Sequence, residues 1–252
     1  MAKDVEHLKG VIALAETHQA KLASALVTLE SRIATLMATA PLKNGDLFDL
    51  TWAIKARVTL REVIEAEYLA TVDDIIREYA VVAESGAAML ATYGQMAVLD
   101  SEVVSQLQRL TYKGFEDLGQ QYLDVVAKEI YSNTLLGTPF AASVASIKES
   151  VEAGLGRYAK QSMHDGLMQF DSAINTKIAL DSGVTEFKYY GPDDSKTRPF
   201  CERHVGKVYT KDEIMEEWSG SWAGKISGDP FLVRGGYNCR HRFRGFTDLE
   251  GL

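Results

Sequence analysis

Cysteine is almost absent: the 252 residues contain two, Cys201 and Cys239. Two thiols cannot build the multi-disulfide framework that staples small secreted domains, so the sequence reads as built for a reducing cytoplasm, with a single Cys201–Cys239 bond as the alternative. No secretion signal is expected, because Asp4 and Glu6 lie near the start of the sequence and no unbroken apolar region follows. No run of apolar residues is long enough for a transmembrane helix, and the expectation is a soluble chain. A phosphate-cradling glycine loop is missing too, since Gly235-Gly236 precedes a strand pattern rather than a helix.

What is present is acid, apolar periodicity and a chemically dense last quarter. With 46% hydrophobic residues the chain can bury a core unaided, as one large or two small domains. The net charge is −8, yet residues 184–252 hold 11 basic and 11 acidic side chains, so the whole excess of acid falls on residues 1–183. Asp229 and Asp248 bracket an acid-free run containing Arg234, Arg240, Arg242 and Arg244, a local basic patch.

Along the chain, Leu22, Leu26, Leu29, Ile33 and Leu36 recur in steps of three and four and predict an amphipathic helix over 4–38. Pro41 and Asn44-Gly45 end it in a turn. A second long helical stretch is expected from about Asp46, with Leu50, Ile54 and Val58 on its inner face and Val72, Ile75, Tyr79 and Val82 continuing it. Such length without strong caps points to a helical hairpin or bundle. Tyr93-Gly94 is read as a break, and Gly114 as the divider between helices near 100–110 and 115–133. Thr138-Pro139 reads as an N-cap followed by proline. Helical spacing then runs from Val144 to Ile178, with Gly154 and Gly156 as a kink or separator and Asp181-Ser182-Gly183 as the stop.

At residue 184 the composition changes. VTEFKYY and GKVYT read as strands, Thr210 and Glu213 as a capping box for a short helix, and NCRHRFRGF as a final strand. The predicted fold class is therefore mainly α with a small C-terminal α+β domain, divided into a helical docking region at 1–183 and the α+β domain at 184–252.

In the final strand, alternation puts Cys239, His241 and Phe243 on one face and Arg240, Arg242 and Arg244 on the other. The planar guanidinium fork suits phosphate or carboxylate, so Arg234, Arg240, Arg242 and Arg244 are candidate contacts for nucleic acid or an acidic partner; a solvated edge strand is the alternative. Cys201-x-x-His204 with Cys239-x-His241 supplies four ligands suited to a closed zinc site, against a packed or disulfide-bonded cysteine pair. A hydrolytic site from Asp193, Asp194 and His204 competes with plain turn chemistry, and a Cys201/His204 nucleophile pair lacks an orienting group.

DDSKTRPFCERHVGKVY followed by GGYNCRHRF resembles the C-terminal motif of the phage Mu F-like minor head proteins, also called head morphogenesis proteins. The resemblance covers the last quarter of the chain; the acidic helical region is similar to family members in character only. It implies a non-enzymatic, low-copy virion component of a tailed bacteriophage, present in the host cytoplasm during assembly and then in the head interior or at the portal vertex. Portal or major capsid protein would be its partners, with a weak DNA contact and a role in packaging or ejection for some members. Many relatives carry T-C-P-x-C with H-P-x-C-R-C, a metal-ligating pattern. Here Arg198 stands at the first cysteine position and Gly236 at the histidine position, so Cys201, Cys239 and His241 are the matching ligands and His204 lies outside the motif. The alternative functions are a DNA-binding module using the basic strand, or a nuclease-like or toxin-like metal-dependent domain.

Overall fold

The structure is a computed structural model describing residues 2–95, 100–151 and 156–246. The expected kink at Gly154 and the bracketing Asp248 lie outside those residues. The architecture is mainly α, with two small sheets.

Helix α1 runs Ala2–Met37 and buries Leu22, Leu26, Leu29 and Ile33, the stripe set by its apolar spacing. The turn after Pro41 is a hairpin of β1 (Leu42–Lys43) and β2 (Asp46–Leu47), with Asn44 and Gly45 both at positive φ as a tight two-residue hairpin requires. Helix α2 (Leu50–Val63) starts at Asp49, whose carboxylate accepts from the Trp52 N–H. Its inner face differs from the one expected: Ala53, Ala56 and Leu60 are buried, whereas Ile54 and Val58 are exposed. Small alanines allow close packing there, a choice that hydrophobicity alone does not signal. A π-helical stretch, Ile64–Leu69, leads into α3 (Ala70–Arg77) and α4 (Tyr79–Ala91). Val72, Ile75, Tyr79 and Val82 are buried as their spacing predicts.

Helix α5 spans Ser101–Leu136 without a break, which corrects the expected division at Gly114. One mid-helix glycine costs about 1 kcal/mol, too little to divide a helix whose Phe115, Tyr122, Val126 and Ile130 are buried. Helix α6 is Phe140–Val151 and α7 is Arg157–Asp181. Helix α7 stops where expected: Gly183 has φ +75° and Val184 N–H reaches back to Ala179 O.

Beyond it come β3 (Glu186–Tyr190), α8 (Pro199–His204), β4 (Val208–Thr210), α9 (Lys211–Glu217), α10 (Pro230–Val233) and β5 (Arg242–Phe246). The strands form one antiparallel sheet in the order β4-β3-β5. The Thr210/Glu213 capping box is present. The final strand is shorter than expected, starting at Arg242, with Cys239 to His241 as the irregular segment that leads into it.

The chain divides into two compact units, and the division does not follow a single cut along the sequence. One unit comprises residues 18–76 and 110–162 and is helical apart from the hairpin. The other joins residues 1–17, 77–109 and 163–252, so the C-terminal sheet shares a unit with the start of α1, with α4 and with most of α7. In this second unit the sheet is a middle layer. One face carries Phe187, Tyr189 and Phe243 into an aromatic core with Phe200, Trp218 and Phe231. The other face meets helices.

Candidate functional site

The β3 alternation sends Phe187 and Tyr189 inward, both fully buried, and pairs Tyr189 with Phe243. Pro199 starts α8 and the helix buries Phe200, Cys201 and His204. The segment before β5 then brings Cys239 and His241 back over Tyr189. The result is a compact cluster: Cys201 Sγ to Cys239 Sγ is 3.9 Å, and Cys239 Sγ to His241 Nδ1 is 3.8 Å. Candidate ligand atoms of Cys201, Cys239 and His241 all lie within 4.8 Å of one another, and all three residues are buried. The Tyr189 hydroxyl stands 3.4 Å from Cys201 Sγ and 3.6 Å from Cys239 Sγ, and its ring stacks on His241.

Two glycines keep this space open. A Cβ on Gly235 would collide with Cys201 Sγ and lie 2.9 Å from Cys239 Sγ, and a Cβ on Gly191 would lie 2.5 Å from the His241 ring. Gly235 also donates its N–H to Cys239 Sγ at 3.3 Å. Burial opposes ionisation of Cys239, but the hydrogen bonds from Cys201 and His241 and the Arg234 charge hold it well below the usual thiol range. The hydrogen bond to Cys239, and then burial, push Cys201 up. Burial, reinforced by both cysteines, also pushes the Tyr189 phenol well up.

Two of the three edges of the cluster fit a metal. Metal–sulfur bonds of about 2.3 Å and metal–nitrogen bonds of about 2.0 Å in a tetrahedron set sulfur–sulfur edges of about 3.8 Å and sulfur–nitrogen edges of about 3.6 Å. The observed separations are 3.9 and 3.8 Å.

His204, the fourth ligand expected from its spacing, is not part of the cluster. Its Nδ1 meets Tyr209 Oη at 2.7 Å and its ring packs against Phe200 and Trp218, with burial lowering its pKa. The two positions at which the Mu F-like pattern has further ligands serve the backbone instead. Arg198 donates to Tyr237 O and lies over its ring, while Gly236 has φ +103° and a Cβ there would collide with Gly224 O. No larger side chain fits at 236.

The expected basic face is not at the surface. Arg242 is fully buried, pairs with Asp171 and donates to Tyr190 Oη. Arg244 is buried and pairs with Asp4. Arg234 is fully buried with φ +51°, and its Nη1 contacts Ser172 Oγ at 3.5 Å. Only Arg240 of the four reaches solvent, and Asp194 holds it through two hydrogen bonds. The reason is that helices cover this side of β5, so its charges are neutralised internally by carboxylates from α1 and α7. His7 completes that network, with Nε2 2.9 Å from Asp171 Oδ1 and Nδ1 3.0 Å from Ser85 Oγ. Asp193 stands in the exposed loop before α8, away from any described cluster of candidate ligands.

Sequence reasoning missed Tyr189, Gly235, Asp171 and Asp4. The first had a signal, because alternation in EFKYY places Tyr189 beside Phe187 on the inward face. The others had none within reach of a local pattern. Among the described residues no helix is long and apolar enough to cross a membrane. No family model, no curated protein and no solved structure matches the chain.

Proposed function

We propose that this chain is a minor head protein of a tailed bacteriophage, a low-copy structural component that acts at the portal or capsid during head assembly, and that its C-terminal fold is held by a zinc ion on Cys201, Cys239 and His241. The observation that carries this reading is the convergence of the two motif blocks. TRPFC and GGYNCRH stand well apart in sequence, yet they place two cysteines in van der Waals contact and a histidine beside them. A motif pair with that joint geometry is a structural clasp: it ties α8 to the segment entering β5 and leaves no accessible reacting group.

A structural rather than catalytic role is further supported by the burial of every cluster member, which denies a substrate access. Zinc on two thiolates would contribute folding energy directly and fix one arrangement of the aromatic core. Docking on portal or capsid subunits is assigned to the acidic helices, whose net charge disfavours general DNA binding. The chain would be found in the host cytoplasm during assembly and in the head afterwards, where it serves packaging or ejection.

Quantitative mass spectrometry of purified phage heads tests this reading. A fixed low ratio to portal protein that survives high-salt washing is expected. Absence of the chain from heads at every stage would overturn it.

A further inference from the structure

We propose that Tyr189 supplies the fourth metal-binding atom of the Cys201–Cys239–His241 cluster, through its hydroxyl oxygen, with Arg234 as the buried cation that balances the charge of the site. The inference rests on the metal reading above and adds to it a ligand that neither the cysteine and histidine spacing nor the family pattern contains.

The first observation is geometric. A closed zinc site takes four donors, and the three residues already gathered leave one position open. Tyr189 Oη touches both sulfurs, at 3.4 and 3.6 Å. An oxygen at about 2.0 Å and a sulfur at about 2.3 Å from one tetrahedral ion stand about 3.5 Å apart, so the two oxygen–sulfur separations match those of a shared ion. The competing side chain is placed elsewhere, since His204 is engaged by Tyr209, and Tyr189, Cys201, Cys239 and His241 are all 2% exposed or less.

The second observation is electrostatic. Arg234 is fully buried with no carboxylate within ion-pair distance among the described residues, and its Nε and Nη2 have no hydrogen-bond partner there. A buried cation favours a negative neighbour, and the Cys239 sulfur is the group on which the Arg234 charge acts. Two thiolates and one phenolate around a divalent ion leave one net negative charge, which a single guanidinium neutralises. Binding displaces the thiol and phenol protons to solvent, since a divalent cation at the centre reverses the preference of buried groups for their protonated forms.

The test uses the purified full chain, with Zn(II) affinity measured by chelator competition and Co(II) as the optical probe. Expected for the wild type is one ion per chain, thiolate-to-Co(II) charge transfer, tetrahedral visible bands and an ultraviolet difference spectrum of ionised tyrosine. Tyr189→Phe should keep the thiolate charge transfer, lose the tyrosinate signal and bind Zn(II) at least about 100-fold more weakly, while His204→Ala binds as the wild type does. Cys201→Ser should abolish binding. If Cys201→Ser abolishes binding but no tyrosinate signal develops in the wild type, the fourth-ligand proposal fails and the metal reading stands. If the wild type takes up no ion, both fail. The tyrosinate signal is read on the wild type, so the outcome does not depend on Tyr189→Phe folding.

Discussion

Arg244 Nη1 lies 2.6 Å from Asp4 Oδ2, with both side chains 3% exposed, and this pair joins the first turn of α1 to β5 across 240 positions of sequence. It closes the unit from its two ends. The Arg244 guanidinium also lies over the rings of Tyr93 and Tyr190, so the charge is held by a carboxylate and by aromatic faces. Buried pairs of this kind contribute little relative to apolar replacements but are costly to break from one side.

Asp4→Ala should therefore destabilise the protein by about 3–5 kcal/mol, because it leaves a guanidinium buried with its carboxylate removed. The double variant Asp4→Leu/Arg244→Met should recover most of that loss. Urea midpoints of the two variants check the relation, and equal losses in both would contradict it.

Asp171 gives stability a defined acid limb. Burial alone would raise its pKa, but Arg242 and His7 outweigh burial and bring it to about 2. A carboxylate whose folded pKa is depressed contributes stability above its unfolded value, near 3.9, and loses it as pH falls through the folded value. The contribution, on the order of 2 kcal/mol, should be complete at pH 5 and fade between about pH 4 and pH 2. Asp171→Asn should flatten that limb in urea titrations run at a series of pH values.

Gly235→Ala should destabilise the C-terminal unit by about 1–3 kcal/mol, the cost of overpacking a filled site, and should lower Zn(II) affinity by forcing the sulfurs apart. Gly10→Ala provides the contrast, since a Cβ there meets nothing within 4 Å, and thermal melting of the two variants separates space from chain flexibility.

Thr210→Ala should cost about 1 kcal/mol, the usual worth of an N-cap hydroxyl, since its oxygen accepts from the Glu213 N–H at the start of α9. Metal affinity should be unchanged, because α9 contributes no cluster ligand.

Arg240→Ala should alter any DNA binding only slightly, reducing the slope of log affinity against log salt by about one, the value of a single phosphate contact. The three other arginines are internal, so their replacement should appear in urea midpoints before it appears in a filter-binding assay.

The sequence by itself determined the elements whose causes are local. The stripe Leu22, Leu26, Leu29 and Ile33, the Asn44-Gly45 hairpin turn, the Gly183 stop and the Thr210/Glu213 box each depend on residues a few positions apart, and backbone geometry acts at that range. Alternation was legible only within β5, which starts at Arg242; Cys239 and His241 are buried from the irregular segment before it. Tertiary structure decided the rest. Whether Arg242 and Arg244 face water or helices depends on Asp171 and Asp4, 71 and 240 positions away, and a strand pattern carries no information about what covers its second face. The choice of Tyr189 over His204 beside the two sulfurs likewise follows from which side chains the sheet and α8 bring to one point. Residue type is written in the sequence, whereas the meeting of these side chains is a product of packing.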